Sequence, residues 1–212
     1  MKQDKIEVFT CEQGSDEWFA ARRGIPTASM FATVMASGKG GSESKTRRKY
    51  MLQLAGEILT EEPMWSFSNE HMNRGKEMED AVRKQYAFQT DADLERIGFL
   101  RHGKKGCSPD SLIGKKRMLE VKTMLPDLLI DIHLRGEFPP GHKAQCQGNL
   151  WVAKREEIDI AIGYIPPPPM KSMPLYVQPI RRDEPYIAAM AKAVDEFNQE
   201  LEYVVAQMRR FG

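Results

Sequence analysis

Apolar residues in the first 90 positions recur three and four apart with polar residues between them. This period predicts helices over 15–23, 28–36, 43–59 and 69–88. Strand patterns follow, over 96–101, 106–110, 118–124, 158–165 and 175–179, with a helix over 142–154 between the third and fourth. From 183 to 210 the helical spacing returns. Ile187, Met190, Val194, Phe197, Leu201, Val204 and Met208 trace one stripe with charges opposite, the pattern of a long helix packed on a core or a subunit. The order is that of an α/β protein without internal repeats, and the four prolines at 166–169 read as a stiff connector.

One strand carries charges where apolar residues are expected. In Met118-Leu119-Glu120-Val121-Lys122-Thr123-Met124 alternate residues face opposite sides, so Glu120 and Lys122 share a face. Ile113-Gly114-Lys115-Lys116-Arg117 reads as a polar hairpin turn, which returns Asp110 of Ser108-Pro109-Asp110 to a position beside Glu120. Two carboxylates and an ammonium then meet, as a metal-dependent phosphodiesterase requires. The same spacing also occurs on the solvated face of an edge strand. Burying such charges unpaired is costly, so inside an apolar run they need a partner such as a metal. Hard divalent cations take oxygen ligands, and Asp110, Glu120 and the Val121 carbonyl suit Mg²⁺. Lys122 suits orientation of the attacking hydroxide or stabilisation of charge on the phosphoryl oxygens.

Two helices offer further polar groups. In 69–88, Met72, Gly75, Lys76, Glu79, Val82 and Tyr86 fall on one face, leaving a carboxylate in an inward stripe. In 142–154, Gln145 and Asn149 share a side while Ala144, Gly148 and Trp151 lie on another. The four histidines form no metal or triad constellation. The glycine-rich stretch 38–46 follows a helix rather than a strand, which excludes a nucleotide-binding loop.

Composition narrows the class. With 212 residues and 41% hydrophobic content, the chain reads as a single domain over 1–212. A net charge of +1 excludes a broadly basic DNA-coating protein, so any DNA track is local, at clusters such as Lys45-Arg47-Arg48-Lys49, Lys115-Lys116-Arg117 or Arg181-Arg182. Three cysteines with no CxxC pair suit a reducing compartment and make zinc an unsuitable expectation. There is neither an apolar signal core nor a run long enough for a membrane helix, so a soluble cytoplasmic protein is expected.

The blocks Trp18-Phe19-Ala20-Ala21-Arg22-Arg23-Gly24-Ile25-Pro26-Thr27-Ala28-Ser29, Gly75-Lys76-Glu77-Met78-Glu79, Cys107-Ser108-Pro109-Asp110, Glu120-Val121-Lys122 and Ala144-Gln145-Cys146-Gln147-Gly148-Asn149-Leu150-Trp151-Val152 occur in this order. On them the chain resembles the phage lambda exonuclease (YqaJ-type viral recombinase) family over roughly 13–205. The resemblance implies a PD-(D/E)XK restriction-endonuclease-like α/β core, a central mixed sheet flanked by helices, with N-terminal helices and a long C-terminal one. It further implies 5′→3′ degradation of linear duplex DNA to mononucleotides and a 3′ overhang, with Mg²⁺ (Mn²⁺ substituting) and two ions per site. The expected assembly is a homotrimer working with a single-strand annealing protein in a bacterial host's cytosol, encoded by phage or prophage.

Carried over residue by residue, the resemblance gives Asp110, Glu120, Lys122, Glu79 and Gln145 the catalytic roles. It assigns the metal ions to Asp110, Glu120, Val121 and Glu79. Arg22 would grip the terminal 5′-phosphate with Thr27, Ser29 and Ser108, helped by helix-start amides at Thr27-Ala28-Ser29. Met72 would be the wedge between terminal bases, a position that ordinary packing suits as well. Gln147 also matches the family, though its direction on the helix suggests a supporting role or solvent. Ser111 after the SPD, and Thr123-Met124 after the lysine, depart from the family's usual Gly and Cys-Pro. A structure- or site-specific endonuclease on the same core, and a silent DNA-end-binding protein, are the alternative readings.

Overall fold

The computed structural model describes residues 5–38, 40, 44–64 and 70–211, side chains at 70–77 excepted. Its centre is a five-stranded mixed sheet in the order β2-β5-β6-β7-β8, built from Leu94–Glu95, Ser111–Ile113, Arg117–Thr123, Glu157–Gly163 and Tyr176–Arg181. Only β6 and β7 run parallel, with Glu120 in register with Ile160. A parallel pair needs a crossover, and helices α5 (Pro126–Arg135) and α6 (Lys143–Ala153) supply it. A second, antiparallel sheet has the order β1-β3-β4, from Ile6–Phe9, Phe99–His102 and Gly106–Cys107.

Strand alternation divides the core into two faces. Leu119, Val121 and Ala161 point to one side, where Val82 and Tyr86 of α4 (Glu70–Thr90) cover them. Met118, Ile158, Ile160 and Ile162 point to the other, against α6 and α7 (Glu184–Met208). Glu120 and Lys122 therefore project from the face that carries Met118, toward α6. Gly148 permits close packing there, since a Cβ would sit 2.6 Å from Phe31 and 3.0 Å from Ala28. That approach brings the 27–29 segment against α6.

The long stripe at 183–210 is core, as Ile187, Met190, Val194, Phe197, Leu201 and Val205 are buried, while Met208 at its end is exposed. Helix α7 is clamped to α3 (Lys45–Thr60) by Arg47, which donates to Glu200 at 2.7 and 2.8 Å, and by stacking of Tyr50 on Phe197.

Several predicted elements differ. The strand expected over 106–110 is broken: β4 joins one sheet and β5 the other, because Pro109 cannot donate into a ladder. The helix expected over 28–36 is a 3-10 turn, Ala28–Met30, followed by the four-residue α2, Phe31–Val34. So short a helix has little dipole, and the anion-binding role expected of its start passes to side chains. Helix α5 escaped the pattern reading, since Leu128, Ile130 and Leu134 are exposed and blur its stripe. Its ends were nonetheless marked, by Pro126 in the first turn and Gly136 in the left-handed conformation. Strands β1 and β2 are too short for a period. The expected first residues of the 43–59 and 69–88 helices lie outside the described residues.

Candidate active site

The break at Pro109 delivers the first carboxylate. As the chain leaves one sheet for the other, the Asp110 N–H donates to the Leu119 carbonyl at 3.0 Å and sets Asp110 across from Glu120. The Asp110 carboxylate then accepts the Val121 N–H at 2.6 Å. A residue's N–H and C=O leave the same edge of a strand, so the Val121 carbonyl faces the Asp110 side as well.

Glu120 is 2% exposed and fully engaged. Its Oε1 accepts from Lys122 Nζ at 2.6 Å and from Gln145 Nε2 at 2.5 Å, and its Oε2 accepts from Asn149 Nδ2 at 2.9 Å. Residues 145 and 149 are one turn apart on α6, so both amides reach one carboxylate. Burial works against the Lys122 ammonium, but the Glu120 charge and hydrogen bond, with Asp110, outweigh it and hold its pKa above the ordinary lysine value. Asp110 moves the other way from its ordinary value. Burial first, then the Glu120 charge and in smaller part Glu79, push it up to about 8, against the Val121 hydrogen bond and Lys122. Asp110 and Glu120 thus face one ammonium, with Glu79 on the wall of the same cavity, and all three offer hard oxygens; among the described residues no three acidic, His or Cys side chains are gathered closely enough to hold one ion.

A second group closes the opposite wall. Arg22 stacks its guanidinium over the Trp18 ring at 4.0 Å and donates to Thr27 Oγ1 at 3.3 Å, which lies 3.2 Å from Ser29 Oγ. Trp18 Nε1 donates to Ser108 Oγ at 3.0 Å and to the Gly98 carbonyl at 3.1 Å, joining helix α1 (Asp16–Arg22), which carries the arginine, to the segment that bears Asp110. Burial lowers the Arg22 pKa, partly offset by Tyr50 and Glu57. A desolvated guanidinium beside three hydroxyls suits a phosphate monoester, through paired hydrogen bonds.

Both groups line one cavity of about 430 Å³, which brings together Arg22, Thr27, Ser29, Ser108, Asp110, Glu120, Val121, Lys122, Gln145 and Glu79. Every candidate residue is there except Met72, whose side chain lies outside the described residues. Three lining residues had been given no role: Gln13, Trp18 and Asn149. Asn149 was legible as the partner of Gln145 one turn on, and Trp18 as the residue one turn before Arg22. Gln13 carried no signal. Gln147 faces neither solvent nor the site. It is 2% exposed and bridges the Arg181 carbonyl, at 2.8 Å, and the Asp183 N–H, at 2.9 Å.

Residues 17–156 match the model of the YqaJ-like viral recombinase domain, a span that includes every residue of this cavity except Gln13. The chain belongs to the YqaJ-like viral recombinase family. Among solved structures, this YqaJ-like chain is similar to the LHK-Exo in complex with dAMP, at 30% identity, with 92% of this chain and 97% of that one covered and a TM-score of 0.81. A second structure of that protein, described as an alkaline exonuclease from Laribacter hongkongensis, gives 28% identity, the same coverage and a TM-score of 0.79. A phage-related exonuclease from Haemophilus somnus, 14% identical with a TM-score of 0.66, shares the fold over 87% of this chain and 96% of its own. No curated protein sequence matches. The YqaJ-like chain thus has the α/β fold of these exonucleases, with its own Asp110, Glu120 and Lys122 on the central sheet.

Proposed function

We propose that the chain is a Mg²⁺-dependent 5′→3′ exonuclease that trims linear duplex DNA to mononucleotides and leaves a 3′ overhang. The observation that carries the reading is the single cavity in which a phosphate-gripping corner faces a carboxylate–lysine centre. The likeness to the two structures of an alkaline exonuclease, at 30% and 28% identity, supports it.

The donor set fits a divalent cation. Asp110 is buried with Glu120 nearby and Glu79 on the same cavity wall, and burial first, then the Glu120 charge, disfavours its ionised form, which a cation would favour. Asp110, Glu120 and the Val121 carbonyl would hold one ion, and Glu79 with Asp110 a second; Mn²⁺ would substitute. Such an ion, when bound, supplies Lewis-acid stabilisation and lowers the pKa of water.

The protein's own groups do the rest. Lys122 stays protonated and presents fixed positive charge to the phosphoryl oxygens. Gln145 and Asn149 fix the Glu120 rotamer, and Gln145, as the more exposed of the two, also meets the attacking water or the scissile phosphate. Arg22, Thr27, Ser29 and Ser108 hold the terminal 5′-phosphate. Holding that end at a fixed distance from the carboxylates measures one nucleotide per cut and sets the direction. A homotrimer around the DNA would keep a nearly neutral chain on its substrate, and a single-strand annealing protein would take the overhang. Light scattering tests the ring against a monomer of 24.2 kDa.

Incubation of linear and covalently closed circular duplex with Mg²⁺ tests the reading. Loss of the linear form alone is expected; nicking of the circle would mark an endonuclease, and survival of both a silent end-binding protein.

A further inference from the structure

A second cavity, of about 480 Å³, shares Gln13, Glu79 and Asp110 with the first and extends to Arg83 and Arg96. The carboxylates thus stand between two basic ends, Arg22 on one side and this arginine pair on the other. Arg83 lies one turn after Glu79 on α4, and Arg96 comes from the connection between β2 and β3. We propose that Arg83 and Arg96 form a subsite for a phosphodiester of the cleaved strand on the 3′ side of the scissile bond.

The inference rests on the exonuclease reading. A strand anchored at its 5′-phosphate by Arg22 and cut at the carboxylates must leave them on the side away from Arg22, which is this cavity. Its chemistry fits. Asp80 pairs with Arg83 at 3.0 Å, with Lys84 at 2.8 Å and with Arg96. Asp80 thus shares its one charge among three cations, so it does not fully pair either arginine. The Arg83 side chain is 14% exposed, and its Nε is buried without an acceptor. A buried donor left unpaired is costly, and a phosphate oxygen would satisfy it. Of the other carboxylates lining this cavity, Glu12 is exposed and screened by solvent, and Glu79 and Asp110 are those assigned to metal under the exonuclease reading. If the arginines served only to tie α4 to the β2–β3 connection, the Asp80 pairing would be explained, but not the unpaired Nε.

The test uses 5′-phosphorylated duplexes with a neutral methylphosphonate at each of the first three linkages beyond the cut. Binding is read by fluorescence anisotropy in EDTA. In the wild type, one of these neutral linkages weakens binding about tenfold. Arg96→Gln, at a residue whose side chain is 63% exposed, should fold normally and erase that penalty, and should lower the salt slope by about one. Arg83→Gln should do the same. Variants as sensitive as the wild type to every neutral linkage overturn the subsite. So does an Arg96→Gln effect confined to inhibition by free deoxynucleoside monophosphate, which would assign a product site. Cleavage in Mg²⁺ is scored separately: the binding pattern without cleavage overturns the nuclease reading alone, and cleavage without the pattern overturns the subsite alone.

Discussion

Replacing Asp110 by Asn should flatten the pH dependence of stability. The folded Asp110 carboxyl sits at about 8 against an ordinary value of 3.8, because burial and Glu120 disfavour its charge. Between those values the unfolded chain releases the proton and the folded chain keeps it. The group's stabilising contribution is therefore complete below pH 4 and lost progressively as pH rises to about 8. Each pH unit in that window costs up to about 1.4 kcal/mol, a ceiling on the order of 5 kcal/mol over the whole window. Water entry and side-chain adjustment bring the expected difference nearer 2–3 kcal/mol, or about 5–10 °C in Tm for a chain of this size. Asn retains an oxygen for the Val121 N–H, so the variant keeps that bond. Thermal unfolding in EDTA from pH 5 to 9 should show the wild type losing stability relative to Asp110→Asn as pH rises. Mg²⁺ at pH 8 selects the ionised carboxylate, so it should restore the wild type and leave the variant unmoved. Parallel pH curves for the two proteins, or equal stabilisation by Mg²⁺, would refute the reasoning.

Lys122→Ala should lower single-turnover cleavage by ~10² or more without loss of fold, since it removes the fixed cation at the phosphoryl oxygens; near-normal rates would displace it from the centre. Arg22→Ala should erase the preference for 5′-phosphorylated over 5′-hydroxyl ends and shorten each processive run, both read on sequencing gels. If that variant discriminates between the ends as the wild type does, the phosphate is gripped elsewhere. Asn149→Ala frees one oxygen of a buried carboxylate and should lower kcat about tenfold with KM little changed; a rise in KM alone would make Asn149 a substrate contact.

The central geometry was legible because it depends on local rules. Strand alternation alone sets Glu120 and Lys122 on one face, and a short polar turn returns Asp110 to them. What the pattern missed was the sheet switch at Pro109: a strand period does not say which sheet receives the chain. The phosphate corner needs Arg22 and Ser108 to meet through Trp18, 90 residues from Ser108, and no local pattern encodes that contact; only the family blocks pointed to it. Asn149 shared a face with Gln145, yet its role depends on Glu120 from another element. Arg83 and Arg96 converge only because Asp80 ties α4 to a distant connection, so no charge cluster appears in the sequence.

The central claim is that the corner around Arg22 fixes the end from which the carboxylate–lysine centre cuts. The most direct test is release of label from 5′-phosphorylated linear duplex labelled at either the 5′ or the 3′ end, with and without Mg²⁺. The account predicts that, with Mg²⁺ only, the 5′ label leaves at once as mononucleotide, while the 3′ label stays on a shortening duplex and then on single strand. Early release of the 3′ label, or of 5′ label without Mg²⁺, would contradict it.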